Sequence, residues 1–184
     1  YSHPLVRDRT VGWFDEVAAN YDVDGVELEF FRHPVFFKAP LKGEPATPAE
    51  CDAMTSVVRR IREVLDRHAV RRGRPILLAI RVPDSAGYCR AIGLDVEQWL
   101  KDGLVDLMIA SGYFRLNPWT ASVELGRKYD VPVFAGLSES RFRDNELRAL
   151  RQSIEGYRGR AAEAWVAGVA GIYTFNLFNP ASPV

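Results

Sequence analysis

Two acidic residues, Glu29 and Glu139, stand where a catalytic pair of carboxylates would stand. Glu29 lies in an alternating segment (DGVELEFF), and Glu139 follows an apolar one (VPVFAGLS). If both segments are strands of one parallel sheet, their carboxyl ends share the edge at which barrels assemble their chemistry. Two facing carboxylates hydrolyse glycosidic bonds, because one protonates the leaving oxygen while the other attacks or activates water. We therefore predict Glu29 as the proton donor and Glu139 as the nucleophile or base. The alternative is that Glu139 simply begins a charged, solvated loop and has no role in catalysis.

Other side chains are predicted near the same strand ends. Strand alternation places Glu27 on the face of Glu29, and buried acids need a partner, which Arg81 or Arg32 could provide. The residues predicted to position a sugar are Glu27, Arg32, His33, Arg81, Tyr113, Trp119 and Asn176. Each also has a structural interpretation: a Glu27–Arg81 ion pair, a packed turn histidine at His33, core aromatic rings, or a satisfied interior amide at Asn176. In the last predicted strand, alternation with Tyr173 and Phe175 suggests that Thr174 and Asn176 point inward.

Other kinds of site have little support. Ser111 and Ser138 lack the G-x-S-x-G elbow of serine hydrolases, and there is no G-x-G-x-x-G or P-loop motif for a nucleotide. Glu27, Glu29 and His33 could bind a metal ion, but the sequence offers no confirming ligand. We predict no cofactor and no metal.

Helical and extended patterns alternate from end to end. The predicted helices span residues 6–21, 47–70, 96–102, 118–129 and 146–167, and Thr47 with Glu50 forms a capping-box pattern. The predicted strands span residues 24–31, 75–83, 105–112, 131–138 and 171–178, and a proline-rich loop covers 32–48. Strands separated by helices predict an α/β fold with a parallel sheet.

Two architectures satisfy this order of elements within a single domain, residues 1–184. One is the later part of a (β/α) TIM-barrel, and the other is a five-stranded doubly wound sheet. The doubly wound form usually has a glycine-rich turn after its first strand, which this sequence lacks. Polar side chains recur at the predicted strand ends instead, so we favour the barrel.

Composition limits the class of protein. The 184 residues carry 24 Lys and Arg against 24 Asp and Glu, and 47% are hydrophobic. This balance argues against disorder and against nucleic-acid binding, and no apolar run is long enough to span a membrane. The sequence opens at Tyr1 without Met or a signal-peptide pattern, which suggests processing or a piece of a longer chain. A secreted or periplasmic bacterial location is an expectation only.

The segment HPLVRDRTVGWFDEVAANYDVDGVELEFFRHP (residues 3–34) resembles the glycosyl-hydrolase-like family 10 proteins. That resemblance implies a (β/α)8-barrel of the glycosidase group, with this segment leading into the fourth strand and VDLMIASGYF and GIYTFNLFN as the sixth and eighth. It implies acid/base chemistry after strand four, at Glu29, and a nucleophile after strand seven, at Glu139. The sequence departs from the pattern in two ways. The family more often has Asp where Glu29 stands, and the Asn-Glu pair typical of strand four in the classical members is absent because Leu28 precedes Glu29.

The resemblance also implies that strands one to three lie outside this chain, so that a partner chain or a longer polypeptide completes the barrel. The leading hypothesis is a glycoside hydrolase acting on an oligo- or polysaccharide. The alternatives are a non-catalytic carbohydrate-binding barrel and a small doubly wound ligand-binding domain.

Overall fold

The computed structural model describes residues 1–31, 33–112, 115–137 and 144–175. The strands are β1 (Gly25–Glu29), β2 (Leu77–Pro83), β3 (Leu107–Ser111), β4 (Val133–Leu137) and β5 (Gly171–Thr174). The helices are α1 (Pro4–Asn20), α2 (Lys38–Leu41), α3 (Pro48–Arg72), α4 (Ala86–Ala91), α5 (Val96–Lys101), α6 (Trp119–Lys128), α7 (Asn145–Gln152) and α8 (Ile154–Ala167).

The five strands form one parallel sheet in the order β1-β2-β3-β4-β5, which is their order along the chain. A doubly wound sheet reverses direction and places its strands out of chain order. The doubly wound alternative is therefore wrong. Sequential parallel strands linked by helices are the arrangement of consecutive units in a (β/α) barrel.

The sheet is strongly curved, as a contact between its two outermost strands shows. The Tyr173 hydroxyl on β5 donates a hydrogen bond to Glu27 Oε1 on β1, with 3.2 Å between the two oxygens. Four strand spacings of ~4.8 Å would separate these strands by about 19 Å in a flat sheet, a gap that a tyrosine and a glutamate cannot bridge. The strands therefore wrap around a concave face that carries both side chains.

The hydrophobic core lies on the convex face of the sheet, against the helices. Leu28, Leu78 and Ile80 point to this side and are buried, and α3 buries Met54, Ile61 and six other residues along one stripe. The long α3 begins as predicted: Thr47 Oγ1 accepts from the Glu50 N–H, and the Glu50 carboxylate accepts from the Thr47 N–H. This capping box satisfies two backbone donors at the helix start.

Three predicted element assignments differ from the structure. The loop at 32–48 contains the short helix α2, and α4 was not predicted. The single helix predicted over 146–167 is two helices, α7 and α8, separated at Ser153. Ser153 is extended and its hydroxyl accepts from the Gly156 N–H, so it caps α8. A Cβ on Gly156 would lie 2.4 Å from the Leu150 carbonyl oxygen, so the break depends on glycine there.

Within the described ranges, no helix combines the length and the apolar character needed to cross a membrane.

Candidate active site

The strand register sets which side chains share the concave face. Glu29 is level with Arg81, Ser111 with Gly136, and Gly136 with Tyr173. Because successive strand residues point to opposite faces, Glu27 lies on the same side as Glu29. The concave face of the described sheet thus gathers polar groups from β1, β2, β3 and β5.

An ion pair joins β1 to β2 on this face. Arg81 Nη1 lies 2.5 Å from Glu29 Oε2, and Arg81 Nη2 donates to Ser111 Oγ at 2.9 Å. The other oxygen of Glu29, Oε1, accepts from the Phe31 backbone N–H at 2.7 Å. The Arg81 side chain is 1% exposed and that of Glu29 is 31% exposed. Glu29 is therefore held in one orientation, with each of its oxygens accepting a hydrogen bond.

Aromatic rings enclose the guanidinium of Arg81. Its central carbon lies 4.0 Å from the ring centroid of Phe175, 5.4 Å from that of Phe31 and 5.8 Å from that of Tyr173. A cation over an aromatic face is attracted by the ring quadrupole, more strongly when water is excluded. The rings thus stabilise a charge that burial alone would penalise, and they line the concave face with aromatic surface.

Small residues make room for this network. A Cβ at Gly136 would lie 2.5 Å from Ser111 Oγ and 2.6 Å from Ser111 Cβ. A Cβ at Gly171 would lie 2.3 Å from the Phe134 ring. Both glycines are required by close approach, and Gly136 allows Ser111 to stand beside Arg81.

Glu27 has a different environment from Glu29. Both residues are exposed, but Glu27 Oε1 accepts its hydrogen bond from the Tyr173 hydroxyl, whereas the Glu29 oxygens accept from Arg81 and from the Phe31 N–H. Partial loss of hydration raises the pKa of Glu27; the hydrogen bond from Tyr173 opposes this, the Glu29 charge adds to it, and Arg81 opposes it. Desolvation and the neighbouring Glu27 charge likewise raise the pKa of Tyr173. The two acids of β1 are thus differentiated by their partners.

Asp84, one residue beyond the end of β2, was missed by sequence reasoning. Its Oδ2 accepts from the backbone N–H groups of Leu116 at 2.9 Å and Asn117 at 3.2 Å, and the Asn117 amide donates to the Asp84 carbonyl. Asp84 is 7% exposed, and burial raises its pKa against the effect of those N–H bonds. It fixes the loop that leads into α6. The signal was an acid at the carboxyl end of a strand, as for Glu29.

Several predicted site residues lie outside the described residues: Glu139, Arg32, Tyr113 and Asn176. Their placement at the site stays a prediction. His33 lies in the loop after β1 and is exposed. Trp119 starts α6 and is 7% exposed within the core. Its ring therefore offers no open stacking surface to a sugar, contrary to the expected role.

Two expectations are corrected: the partner of Arg81 in the ion pair, and the face to which Thr174 points. The ion pair of Arg81 is with Glu29, not Glu27, because the register places Glu29 directly opposite Arg81. Tyr173 in β5 and Phe175, directly after the strand, face the network on the concave side, whereas Thr174 is level with the buried, convex-side Leu137. Polarity alone assigned the wrong face, since the tyrosine hydroxyl reaches a partner that the sequence does not reveal.

In the part of the chain that the structure describes, no three His, Cys, Asp or Glu side chains lie close enough to hold a metal ion. Cys51 and Cys89 are both free and buried. Burial raises the pKa of the Cys89 thiol, which disfavours the reactive thiolate.

Comparison with known proteins gives similarity at the level of fold. No family model matches the sequence, and no curated protein matches it. A glycoside hydrolase family 18 N-acetylglucosaminidase from Paenibacillus barengoltzii is similar in structure, with a TM-score of 0.54 and 20% identity over 75% of this chain and 46% of that one. A putative alpha-L-fucosidase from Bacteroides thetaiotaomicron has a TM-score of 0.46 and 16% identity over 89% of this chain and 51% of that one.

This chain spans about half the length of those two solved structures. The glycosyl-hydrolase-like family 10 resemblance is not among these matches, so that finer assignment stays a proposal. The likeness to the family 18 enzyme concerns the fold: five parallel strands and their helices are arranged as in part of a (β/α)-barrel glycosidase.

Proposed function

We propose that this chain provides strands four to eight of a (β/α)8 barrel that binds an oligo- or polysaccharide and hydrolyses a glycosidic bond with carboxylates. Glu29 and Glu139 are the proposed pair. Under this proposal another segment, in the same polypeptide or a partner chain, supplies strands one to three. The observation that carries the proposal is the concave face, where two glutamates, an arginine and aromatic rings meet.

The chemistry of that face suits a sugar. Carboxylate oxygens accept hydrogen bonds from hydroxyl groups, and developing positive charge at the anomeric carbon is stabilised by fixed negative charge. Glu27 and Glu29 provide such carboxyl oxygens on the concave face, and Arg81 holds Glu29 in place. A rigid, oriented carboxylate costs little reorganisation when the sugar reacts.

The hydrogen bonds of Glu29 bear on its role within this proposal. A proton donor needs a hydrogen on one oxygen, yet both Glu29 oxygens already accept hydrogen bonds. This pattern supports Glu29 as a hydrogen-bond acceptor, which stabilises developing positive charge or accepts from a sugar hydroxyl, over the proton-donor role predicted from sequence.

The same observation supports a second candidate function, a carbohydrate-binding barrel without catalysis. A carboxylate tied to Arg81 and to a backbone N–H can accept from a hydroxyl without reacting. The two functions differ in whether bonds are broken, so turnover separates them.

The experiment uses the chain together with the segment or partner chain that completes the barrel. It measures release of reducing ends from a polysaccharide panel and of phenol from aryl glycosides, including an N-acetylglucosaminide as in the similar family 18 enzyme. We expect Glu29→Gln to lower turnover by ~10²-fold or more, within the range for loss of an oriented group that stabilises charge in the transition state. Glu63→Gln, an exposed acid on α3, is the matched control and should leave turnover unchanged. Equal turnover for Glu29→Gln and wild type would refute the role of Glu29.

Absence of turnover in the wild type on every substrate would instead refute hydrolysis. Calorimetry on the same oligosaccharides then tests the second function: Glu29→Gln should weaken binding about tenfold, equivalent to ~1.4 kcal/mol.

A further inference from the structure

We infer that Glu27, oriented by the Tyr173 hydroxyl, is the residue that donates the proton to the glycosidic oxygen. The inference rests on the proposed function and reassigns its acid from Glu29 to the glutamate two residues earlier.

The geometry separates the two glutamates by what their oxygens can still do. Glu29 has Oε2 on Arg81 and Oε1 on the Phe31 N–H. Both residues are exposed, but the described hydrogen bond of Glu27 is at Oε1, from the Tyr173 hydroxyl. A hydroxyl that donates to Oε1 fixes the plane of the carboxyl group. Oε2 can then carry a proton and present it to a bound sugar.

The groups facing Glu27 come from three strands. Tyr173 of β5 donates to it, Glu29 lies on the same face of β1, and Arg81 of β2 is paired with Glu29 rather than with Glu27. The Cα atoms of Glu27 and Glu29 are about 6.6 Å apart, at ~3.3 Å per strand residue. An anion so close disfavours a second negative charge, and partial desolvation acts in the same direction. These effects favour the protonated form of Glu27 relative to an isolated glutamate.

The proposed step conserves atoms and charge. The Oε2 proton of Glu27 passes to the glycosidic oxygen, which keeps the electron pair of the breaking bond to the anomeric carbon. The anomeric carbon is attacked by water, whose proton goes to the second carboxylate, proposed as Glu139, or by that carboxylate itself. In the second case water then hydrolyses the glycosyl ester and returns a proton to Glu27. The net reaction adds one water across the glycosidic bond.

The first test compares two leaving groups on the same sugar. The 2,4-dinitrophenolate leaving group departs without protonation of the glycosidic oxygen. The methoxide or phenoxide leaving group of a methyl or phenyl glycoside requires that protonation. Glu27→Gln should lower turnover of the unactivated substrate by ~10²- to 10⁴-fold and of the dinitrophenyl substrate by less than about tenfold. A purely structural role for Glu27 would lower both equally, which would overturn the inference. The inference would also be overturned if Glu29→Gln, and not Glu27→Gln, lost turnover of the unactivated substrate selectively. That result would leave the proposed hydrolysis intact.

The second test needs no turnover. The Glu27 carboxyl is titrated by carbon-13 NMR in the wild type, in Tyr173→Phe and in Glu29→Gln. We expect a midpoint above the ordinary glutamate value of about 4.3 in the wild type. It should rise in Tyr173→Phe, because a hydrogen bond to the anion is lost, and fall in Glu29→Gln, because a like charge is removed. An ordinary midpoint that neither substitution moves would overturn the inference even in an active enzyme.

If the wild type hydrolyses no substrate while Glu27 titrates as expected, hydrolysis itself fails, and the proton-donor role is overturned with it. The two failures therefore remain distinguishable.

Discussion

Because Arg81 is buried, the Arg81–Glu29 ion pair should contribute much more to the free energy of unfolding than a surface ion pair of equal length. Arg81→Met removes a hydrogen bond to a charged group, worth ~1.5–3 kcal/mol, and one to Ser111 Oγ, worth ~0.5–1.5 kcal/mol. It also removes the contact with the Phe175 ring. Because Glu29 is partly exposed, the lower end of the ~3–5 kcal/mol range for broken buried pairs applies. We expect a loss of about 3 kcal/mol in the free energy of unfolding.

Arg59 is the matched control. Its guanidinium lies 2.5 Å from Asp102, the same separation as in the Arg81 pair, but its side chain is 45% exposed. Exposed pairs contribute ~0–1 kcal/mol, so Arg59→Met should cost less than about 1 kcal/mol. Urea unfolding at neutral pH measures both variants.

Equal losses for the two variants, within about 0.5 kcal/mol, would refute the argument that burial and ring contacts decide the value of the pair. If Arg81→Met does not fold, Arg81→Lys provides the comparison. It keeps the charge but not the two-pronged geometry, and its loss should fall between the other two.

Three further predictions concern packing, capping and pH. Gly136→Ala should lower the free energy of unfolding by ~1–3 kcal/mol, because the new Cβ clashes with Ser111. Gly159→Ala in α8, where the space around the glycine is open, should raise it by ~0.5–1 kcal/mol. Urea unfolding that changes in the same direction for both variants would contradict this. Thr47→Ala should cost about 1 kcal/mol by removing the α3 cap, and an unchanged unfolding midpoint would argue against the cap. The raised pKa of Asp84 means that the folded state binds its proton more readily than the unfolded state. Wild type should therefore gain stability over Asp84→Asn as pH falls from 7 towards 4, and a difference that does not change with pH would contradict this.

Periodicity predicted the fold class because strands and helices in this chain differ clearly in pattern. The near-continuous apolar run of β2 and the capping box at Thr47 are local signals, and both appear in the structure as expected. The break at Ser153 was missed because a hydrophobic pattern continues through it. The break depends instead on the close approach of Gly156 to the Leu150 carbonyl.

Alternation placed Glu27, Glu29 and Arg81 on one face, which the structure confirms. It could not predict which glutamate pairs with Arg81, because strand register is a tertiary property. It also gave the wrong face for Tyr173, since only the curvature of the sheet brings the tyrosine to Glu27. The roles of the two glutamates therefore follow from partners that lie 52 and 146 residues away in the chain.

The most direct test of glycosidic cleavage at the concave face is hydrolysis of a susceptible oligosaccharide in water enriched in oxygen-18, followed by mass spectrometry of the products. Attack at the anomeric carbon assisted by carboxylates predicts oxygen-18 in the hydroxyl group bonded to the anomeric carbon of the released sugar. The rate of labelling should fall ~10²-fold or more in Glu29→Gln. Label in the departing alcohol, or labelling at the wild-type rate in that variant, would contradict the account.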